Sequence, residues 1–183
     1  MNDDPAAPSV ATPVPQPTYA PGQIGLDQAK VQSFVQRRRA EQSMPLAILA
    51  GVVSALVGAV LWGVVSDSTG FQIGWMAVGV GFIVGYSVRY LGKGMDPPFR
   101  YVGAICALAG CVLGNYFAGV GAIASHFHVS VLLVLERMPM NDAFTMMTSS
   151  FQVMDLLFYA IAVYEGYKFS LRRLTHEELA ALQ

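Results

Sequence analysis

Four long apolar runs dominate the pattern of hydrophobic and polar positions along this chain. They cover about residues 44–65, 71–90, 101–124 and 151–169. A helix needs about 20 apolar residues to cross the hydrocarbon core of a bilayer, and each run reaches about that length once its flanking interfacial residues are included. The pattern predicts an all-α, polytopic membrane protein with four transmembrane helices in one membrane domain, residues 44–172.

Positive charge alternates between the segments that flank these runs. Of the eleven Lys and Arg residues, ten lie before the first run, from the end of the second run (Arg89) to the start of the third, or from the end of the fourth run (Lys168) onwards. Arg137 alone lies in the other two loops. Loops rich in Lys and Arg stay in the cytoplasm under the positive-inside rule. We therefore expect a multi-pass protein, N-in and C-in, with residues 89–100 in the cytoplasm and residues 66–70 and 125–150 outside.

Composition supports the membrane assignment and argues against other classes. Hydrophobic residues make up 54% of the chain and charged residues 13%, whereas charged residues are about a quarter of an ordinary soluble domain. The net charge of −1 provides no strongly basic surface, so we expect the lipid bilayer as a partner and no nucleic acid.

Two segments precede the first run. Residues 1–23 carry six of the ten prolines, a density that favours a disordered cytoplasmic tail or a docking segment that becomes ordered on a partner. Residues 24–43 predict an amphipathic juxtamembrane helix on the inner leaflet. This helix ends in Arg37, Arg38 and Arg39, which we expect to fix the topology and to anchor it to anionic lipid.

Small side chains recur at four-residue spacing in the first three runs. Because helices in lipid associate through close backbone approach, such ribbons predict helix contacts. The third run carries two ribbons, so we expect it to sit centrally or to pack against a second protomer, with at least one face on another protomer or a foreign subunit. The predicted packing residues are Gly51, Ala55, Ala59, Gly81, Gly85, Gly103, Ala107, Gly110 and Gly114.

The second outer loop predicts a short helical lid at the outer interface. The apolar part of residues 128–138 is too short to span a bilayer and stops at Pro139. Asn141 is placed to cap a second short helix.

Two capping-box patterns follow this lid. Ser149 with Gln152 marks the start of the fourth run. Thr175 with Glu178 predicts a short helix in residues 173–183, the cytoplasmic C-terminal segment.

Polar residues inside the runs are few, and Asp155 is the most informative. An ionised side chain costs about 2.5 kcal/mol or more at the bilayer centre, but Asp155 lies near a helix start, where the dipole favours a carboxylate. A structural hydrogen bond to the lid or a neighbouring helix, and binding of a proton or cation, are both open. For Asn115 we expect an interhelical hydrogen bond, and for Glu165 with Lys168 an interfacial ion pair.

The sequence contains no pattern typical of catalysis, cofactor binding or a complete metal site. His126 and His128 form an HxH pair, but metal sites usually need three or four ligands, and Glu136 and Asp142 follow no recognised spacing. Phosphate-loop, nucleophile-elbow, HExxH and haem-attachment motifs are absent. We therefore predict no catalytic residues, no cofactor and no metal ion, and that the protein is not an enzyme.

Two stretches carry a resemblance to known proteins. One is GWMAVGVGFIVGYSVRYLGKG at residues 74–94, and the other joins DLLFY at residues 155–159 to YEGYK at residues 164–168. Over about residues 45–172 the chain resembles a group of small four-span bacterial inner-membrane proteins of unknown function. The resemblance implies a location in the bacterial inner (cytoplasmic) membrane and no particular activity.

These observations favour a non-enzymatic integral membrane assembly protein, either a homo-oligomer or an accessory subunit of a larger membrane complex. Its expected partners are the bilayer and either further copies of itself or other membrane subunits. The alternative is a small ion or proton channel or transporter that uses Asp155 in an oligomeric pore. Polar intramembrane residues are too few to line a path through one protomer, which favours the first reading.

The charge distribution generates a prediction about orientation. A single cysteine introduced at Ser68 or Asn141 should react with a membrane-impermeant maleimide added to intact cells, whereas one at Lys93 should react only after permeabilisation. Labelling of permeabilised cells controls for local accessibility. Reaction at Lys93 in intact cells would contradict the predicted orientation.

Overall fold

A computed structural model describes residues 28–70, 74–172 and 178 of the chain. Within those residues the protein is helical and has no strand, which confirms the all-α class. The predicted tail, residues 1–23, lies outside the described residues, as does the C-terminal segment apart from Glu178. The helices are α1 (Gln28–Ala40), α2 (Met44–Thr69), α3 (Trp75–Gly92), α4 (Pro98–Phe127), α5 (Val131–Arg137), α6 (Met140–Ser150) and α7 (Val153–Phe169).

Two of these helices, α2 and α4, are each long and apolar enough to cross a membrane. Helices α6 and α7 form a bent pair whose axes meet at 99°. Taken together as one broken span, this pair is also long and apolar enough to cross a membrane. The described residues therefore contain two, or up to three, candidate spans, which indicates a membrane-embedded protein. The prediction of four spans goes further than this finding.

Contacts between helix ends show that α2 and α4 run parallel. Where α2 begins, the Ser43 amide donates a hydrogen bond to the Gly92 carbonyl, which lies at the end of α3 just before α4 (3.1 Å). At the opposite end, the Ser125 hydroxyl of α4 donates to the Asp67 carboxylate of α2. The chain between α2 and α4 must therefore run back, and α3 covers the part from the level of Cys111, whose thiol lies 3.8 Å from the Ala77 carbonyl oxygen, to the end of the bundle at Gly92. We call the end at which Ser43 meets Gly92, two residues before Gly94, the Gly94 end. The end at which Asp67 meets Ser125 is the Asp67 end.

Helix α7 runs antiparallel to α4. In its second turn, the Tyr159 hydroxyl donates to the Cys111 carbonyl, which lies midway along α4 (3.1 Å). Just beyond the last turn of α7, the Arg172 amide donates to the Gly94 carbonyl, which lies shortly before α4 begins (2.9 Å). Helix α7 therefore ends at the Gly94 end, beside the start of α4.

Helices α4 and α3 together form the centre of the bundle, because each contacts the other and both contact α2 and α7. Helices α2 and α7 lie on separate sides of this centre and make no contact with each other within residues 28–70 and 74–172. The core between these helices combines small residues with a few larger ones. The largest of its fully buried side chains include Trp62, Val80, Val84, Val88 and Cys111.

Helix α2 continues one turn past residue 65, where the sequence predicts a polar loop. The Ser68 and Thr69 hydroxyls donate to the carbonyls of Val64 (2.7 Å) and Val65 (2.8 Å), four residues earlier. These bonds satisfy the hydroxyls inside the helix, so the polar side chains do not end it. Gly70 ends it instead, with a left-handed φ of 69° that glycine adopts without strain.

The helices after α4 also differ from the prediction at their ends. Helix α6 begins at Met140, directly after Pro139, so Asn141 lies inside it and does not cap it. It continues to residue 150, so Ser149 is helical and the predicted box of Ser149 with Gln152 is wrong. Helix α7 starts at Val153, and its capping box joins Gln152 with Asp155.

Helix α1 occupies part of the segment in which an amphipathic helix is predicted. Val31, Phe34 and Val35 form a half-buried stripe, but Arg38 continues the same stripe and places its guanidinium 5.1 Å from the centre of the Phe34 ring. Because a cation lies on the apolar face, polar and apolar residues are not segregated as in an interfacial helix. The predicted amphipathicity is therefore wrong for Gln28–Ala40.

Glycines bring the helix backbones into direct contact. A Cβ added to Gly166 of α7 would lie 2.6 Å from the Gly103 carbonyl oxygen of α4, and one added to Gly103 would overlap the Gly166 carbonyl. Between α3 and α7, a Cβ added to Gly81 would lie 2.5 Å from the Ala162 carbonyl oxygen. Backbone cannot move aside as a flexible side chain can, so these positions require glycine.

Both ribbons of α4 are occupied by helices of the same chain. Gly103 and Ala107 face Gly166 of α7, whereas Gly110 meets α2 and α3, and Gly114 packs on the Trp62 ring of α2. The expectation of a central third helix is thus met, and these two faces no longer argue for a second protomer. The other predicted packing residues also lie at contacts within the chain or are buried: Gly51, Ala55, Ala59 and Gly85.

The contact at Gly81 generates a stability prediction with a matched control. Gly81→Ala should lower the free energy of unfolding in detergent by about 1–3 kcal/mol, because the new methyl group meets the Ala162 backbone. Gly79→Ala, on the same helix with open space around the added methyl, should be neutral or stabilising by up to about 1 kcal/mol. Equal melting temperatures for the two variants would contradict the α3–α7 contact.

Candidate functional site

The residues predicted as a polar intramembrane site, Asp155 and Asn115, lie near each other through Tyr159. Asp155 is in the first turn of α7, where its carboxylate accepts a hydrogen bond from the Gln152 amide (2.8 Å). This bond satisfies an amide at the helix start, as a capping carboxylate does. The structural role predicted for Asp155 is therefore present, but its partner is its own helix start rather than the lid or a neighbouring helix.

Tyr159 connects Asp155 to α4. It lies one helical turn after Asp155, and its hydroxyl donates to the Cys111 carbonyl (3.1 Å). The Asn115 side chain lies close to Tyr159. Asn115 and Tyr159 are both buried. Asn115 of α4 thus lies beside Tyr159 of α7, and its expected interhelical hydrogen bond stays a prediction. We call Asp155, Tyr159 and Asn115 the Asp155 cluster.

A cavity of about 260 Å³ opens beside the Asp155 cluster, between α4, α6 and the start of α7. Asn115, Thr148 and Tyr159 give it a few polar groups within an otherwise apolar lining, so it is large enough and polar enough to hold water. Towards the Gly94 end the α4–α7 contact is formed by Ala107, Gly103 and Gly166. These three residues have no polar side chains, so within the described part of the chain they provide no polar path along the α4–α7 contact.

The histidine pair does not form a metal site in the described part of the chain. His126 and His128 are exposed at the end of α4, and no group of three or more His, Cys, Asp or Glu side chains there could hold a metal ion. The His126 ring instead packs edge-on against Phe127, with 5.0 Å between ring centres.

The cationic cluster before α2 is partly engaged with protein rather than free for lipid. Arg38 pairs with Glu41 (3.3 Å) and with Glu178, and Arg39 pairs with Asp96 (3.4 Å). Arg37 is exposed and makes no ion pair with the described residues. Lipid anchoring by these arginines stays a prediction, and Arg37 is the one whose charge is most available for it.

A bridge that the sequence analysis missed links α1 to the loop before α4. The Gln42 amide donates to the Asp96 carboxylate (3.0 Å), while its side-chain oxygen accepts from the amides of Met95 (2.9 Å) and Asp96 (3.3 Å). Gln42 and Asp96 are 54 residues apart, so no local spacing in the sequence signals their contact.

The predicted ion pair between Glu165 and Lys168 does not form. The Lys168 ammonium lies over the rings of Tyr164 (5.2 Å) and Phe169 (5.5 Å). One buried carboxylate oxygen of Glu165 has no hydrogen-bond partner among the described residues. Aromatic faces thus replace the carboxylate as the partner of this lysine.

Comparison with known proteins gives no relative for this chain. No protein-family model matches it, and no curated protein or solved structure shows significant similarity to it. The resemblance to small four-span bacterial inner-membrane proteins therefore stays a prediction.

The cap formed by Asp155 generates a prediction that separates structure from ion transport. Asp155→Asn should leave stability and complex size nearly unchanged, because an amide oxygen still accepts the Gln152 bond. Asp155→Leu should lose about 1 kcal/mol of stability, since no acceptor remains. Exposed Asp142 in the first turn of α6 provides matched Asn and Leu controls. Ion flux into proteoliposomes that disappears with Asp155→Asn, while complex size is kept, would contradict a purely structural role.

Proposed function

We propose that this protein is a non-enzymatic integral membrane assembly protein that binds further copies of itself or other membrane subunits. We further propose that it crosses the bacterial inner membrane four times, with both termini in the cytoplasm. The support for four spans is the direction of the long helices. If the parallel helices α2 and α4 cross a bilayer, then α3 and α7, which run antiparallel to α4 from about the level of Cys111 to the Gly94 end, lie in the same layer.

The lengths of α3 and α7 are compatible with this proposal. Helices of 18 and 17 residues rise about 27 Å and 26 Å, slightly less than the hydrocarbon core of about 30 Å. Local thinning and flanking interfacial residues accommodate a mismatch of this size. The 99° bend before α7 then lays α6 close to the plane of the membrane.

The observation that carries the assembly role is an exposed apolar surface on α5, α6 and the start of α7. We call it the lid surface, and its exposed side chains include Leu132, Met140, Phe144, Val153 and Leu156, which are 62–87% exposed. Large exposed apolar patches are typical of protein or membrane contacts. The Asp155 carboxylate and the Tyr159 hydroxyl both bond to the chain's own backbone, which supports a role without chemistry.

A pore is the second candidate, and the Asp155 cluster with its adjoining cavity is the observation that favours it. Asp155, Tyr159 and Asn115 place a carboxylate, a phenol and an amide near one another. Such groups can bind a cation or pass a proton. Because small residues follow towards the Gly94 end, such a pore would have to form between protomers.

The assembly role predicts a complex larger than one chain in mild detergent. Mass analysis of the purified protein should show a homo-oligomer or a defined complex with another membrane protein. Phe144→Ala on the lid surface should shift the population towards the monomer, because it removes a side chain that is 68% exposed. Leu56→Ala, on the exposed face of α2, should not. A wild-type protein that is monomeric at all concentrations would contradict the proposal.

A further inference from the structure

A cavity at the Gly94 end is lined mainly by cations and aromatic rings. It lies between the start of α4 and the end of α7, has a volume of about 370 Å³, and we call it the basic cavity. Three of its six lining residues are basic and none is acidic. The lining consists of Arg100, Tyr164, Tyr167, Lys168, Leu171 and Arg172.

Arg100 is held in place without being neutralised. Its guanidinium carbon lies 5.1 Å from the centre of the Tyr167 ring, and one terminal nitrogen is 3.4 Å from the Tyr167 hydroxyl. Its buried Nε has no hydrogen-bond partner, and no carboxylate pairs with it, among the described residues. A buried N–H of a cation that lacks an acceptor is costly, so Arg100 is prepared for an anionic oxygen.

The second cation is in a similar state. Lys168 contacts the rings of Tyr164 and Phe169 and makes no ion pair within the described residues. Arg172 differs, because it is shared between Glu178 (3.4 Å) and Glu41 (4.0 Å). The basic cavity thus has two cations oriented by aromatic faces and a third that is partly neutralised.

The surroundings of the basic cavity indicate where its ligand comes from. Tyr101 and Tyr164, 60% and 57% exposed, lie at the same end as Tyr86 and Tyr90 of α3. Tyrosines at such a level are typical of the membrane–water interface. A ligand there must carry negative oxygens for Arg100 and Lys168 and must also tolerate apolar neighbours. Anionic lipids meet both requirements, and their headgroups bind in basic cavities between helices on the cytoplasmic side.

We propose that the basic cavity binds the phosphate group of one anionic phospholipid from the inner leaflet. Arg100 offers its fork of N–H groups to the phosphate oxygens, as guanidinium groups do, and Lys168 adds a second charge. Tyr164 lies beside the exposed surface that faces the acyl chains. The assignment to the inner leaflet rests on the proposed orientation of the Gly94 end, but not on any oligomeric state.

The test is native mass spectrometry of the full chain released from nanodiscs that contain phosphatidylcholine with added phosphatidylglycerol. Wild type should retain phosphatidylglycerol saturably at one site, in preference to phosphatidylcholine. Lys168→Gln and Arg100→Gln should each weaken this binding about tenfold. Lys93→Gln removes one exposed cation of the same end outside the cavity and should leave the binding unchanged. Because Lys168 is exposed, its variant tests the cavity even if Arg100→Gln fails to fold.

The remaining outcomes decide between sources of the phosphate. Inorganic phosphate and glycerol phosphate, added to the detergent-solubilised protein, should bind at least about tenfold more weakly than the lipid, because they lack acyl chains. Equal affinity for inorganic phosphate would overturn the lipid assignment in favour of a soluble anion. Equal losses in Lys168→Gln and Lys93→Gln would overturn the site itself. A monomer that retains phosphatidylglycerol would contradict the assembly role and leave the lipid site standing.

Discussion

The contact between the backbones of α4 and α7 at Gly103 and Gly166 is the constraint on which the rest of the bundle depends. A Cβ on either glycine would come too close to the carbonyl oxygen of the other. In a bilayer, apolar side chains gain little by leaving lipid for protein, so packing at this distance holds the helices together. Once α7 is seated on α4, Tyr159 reaches the Cys111 carbonyl, and the basic cavity forms beside the same two helix ends.

This constraint also determines which surfaces remain for partners. The small faces of α4 are covered by α2, α3 and α7, so an assembly role has to rely on other parts of the protein. The exposed lid surface is one, and the broad aliphatic face of α2, which includes Leu49, Val53 and Val57, is suited to lipid. At the Gly94 end the ion pairs of Arg38 and Arg39 join α1 to Glu178 and to Asp96 in the loop before α4. Different ends of the molecule are thus suited to different partners.

Sequence reasoning identified the helical class and all nine packing residues because both depend on local spacing. It missed Gly166, the partner of Gly103, although Ala162, Gly166 and Ser170 repeat the same four-residue spacing. It also missed Gln42 with Asp96, whose contact depends on the fold rather than on neighbours in sequence. The amphipathicity predicted for α1 failed for a related reason: Arg38 lies on the apolar face, where Phe34 and Glu178 accommodate it. Of the two roles left open for Asp155, the structural bond is present, but its partner is the start of its own helix.

The claim that α2 and α4 pack within one chain, rather than between chains, is the centre of this account. Asp67 and Ser125 are in direct side-chain contact at the Asp67 end, so cysteines at both positions in one chain should oxidise to an internal disulfide in native membranes. The double variant should remain a monomer on a non-reducing gel, with both introduced thiols protected from maleimide, while each single variant stays reactive. A double variant that forms only disulfide-linked dimers, or dimers that appear when the two single variants are co-expressed, would contradict the account.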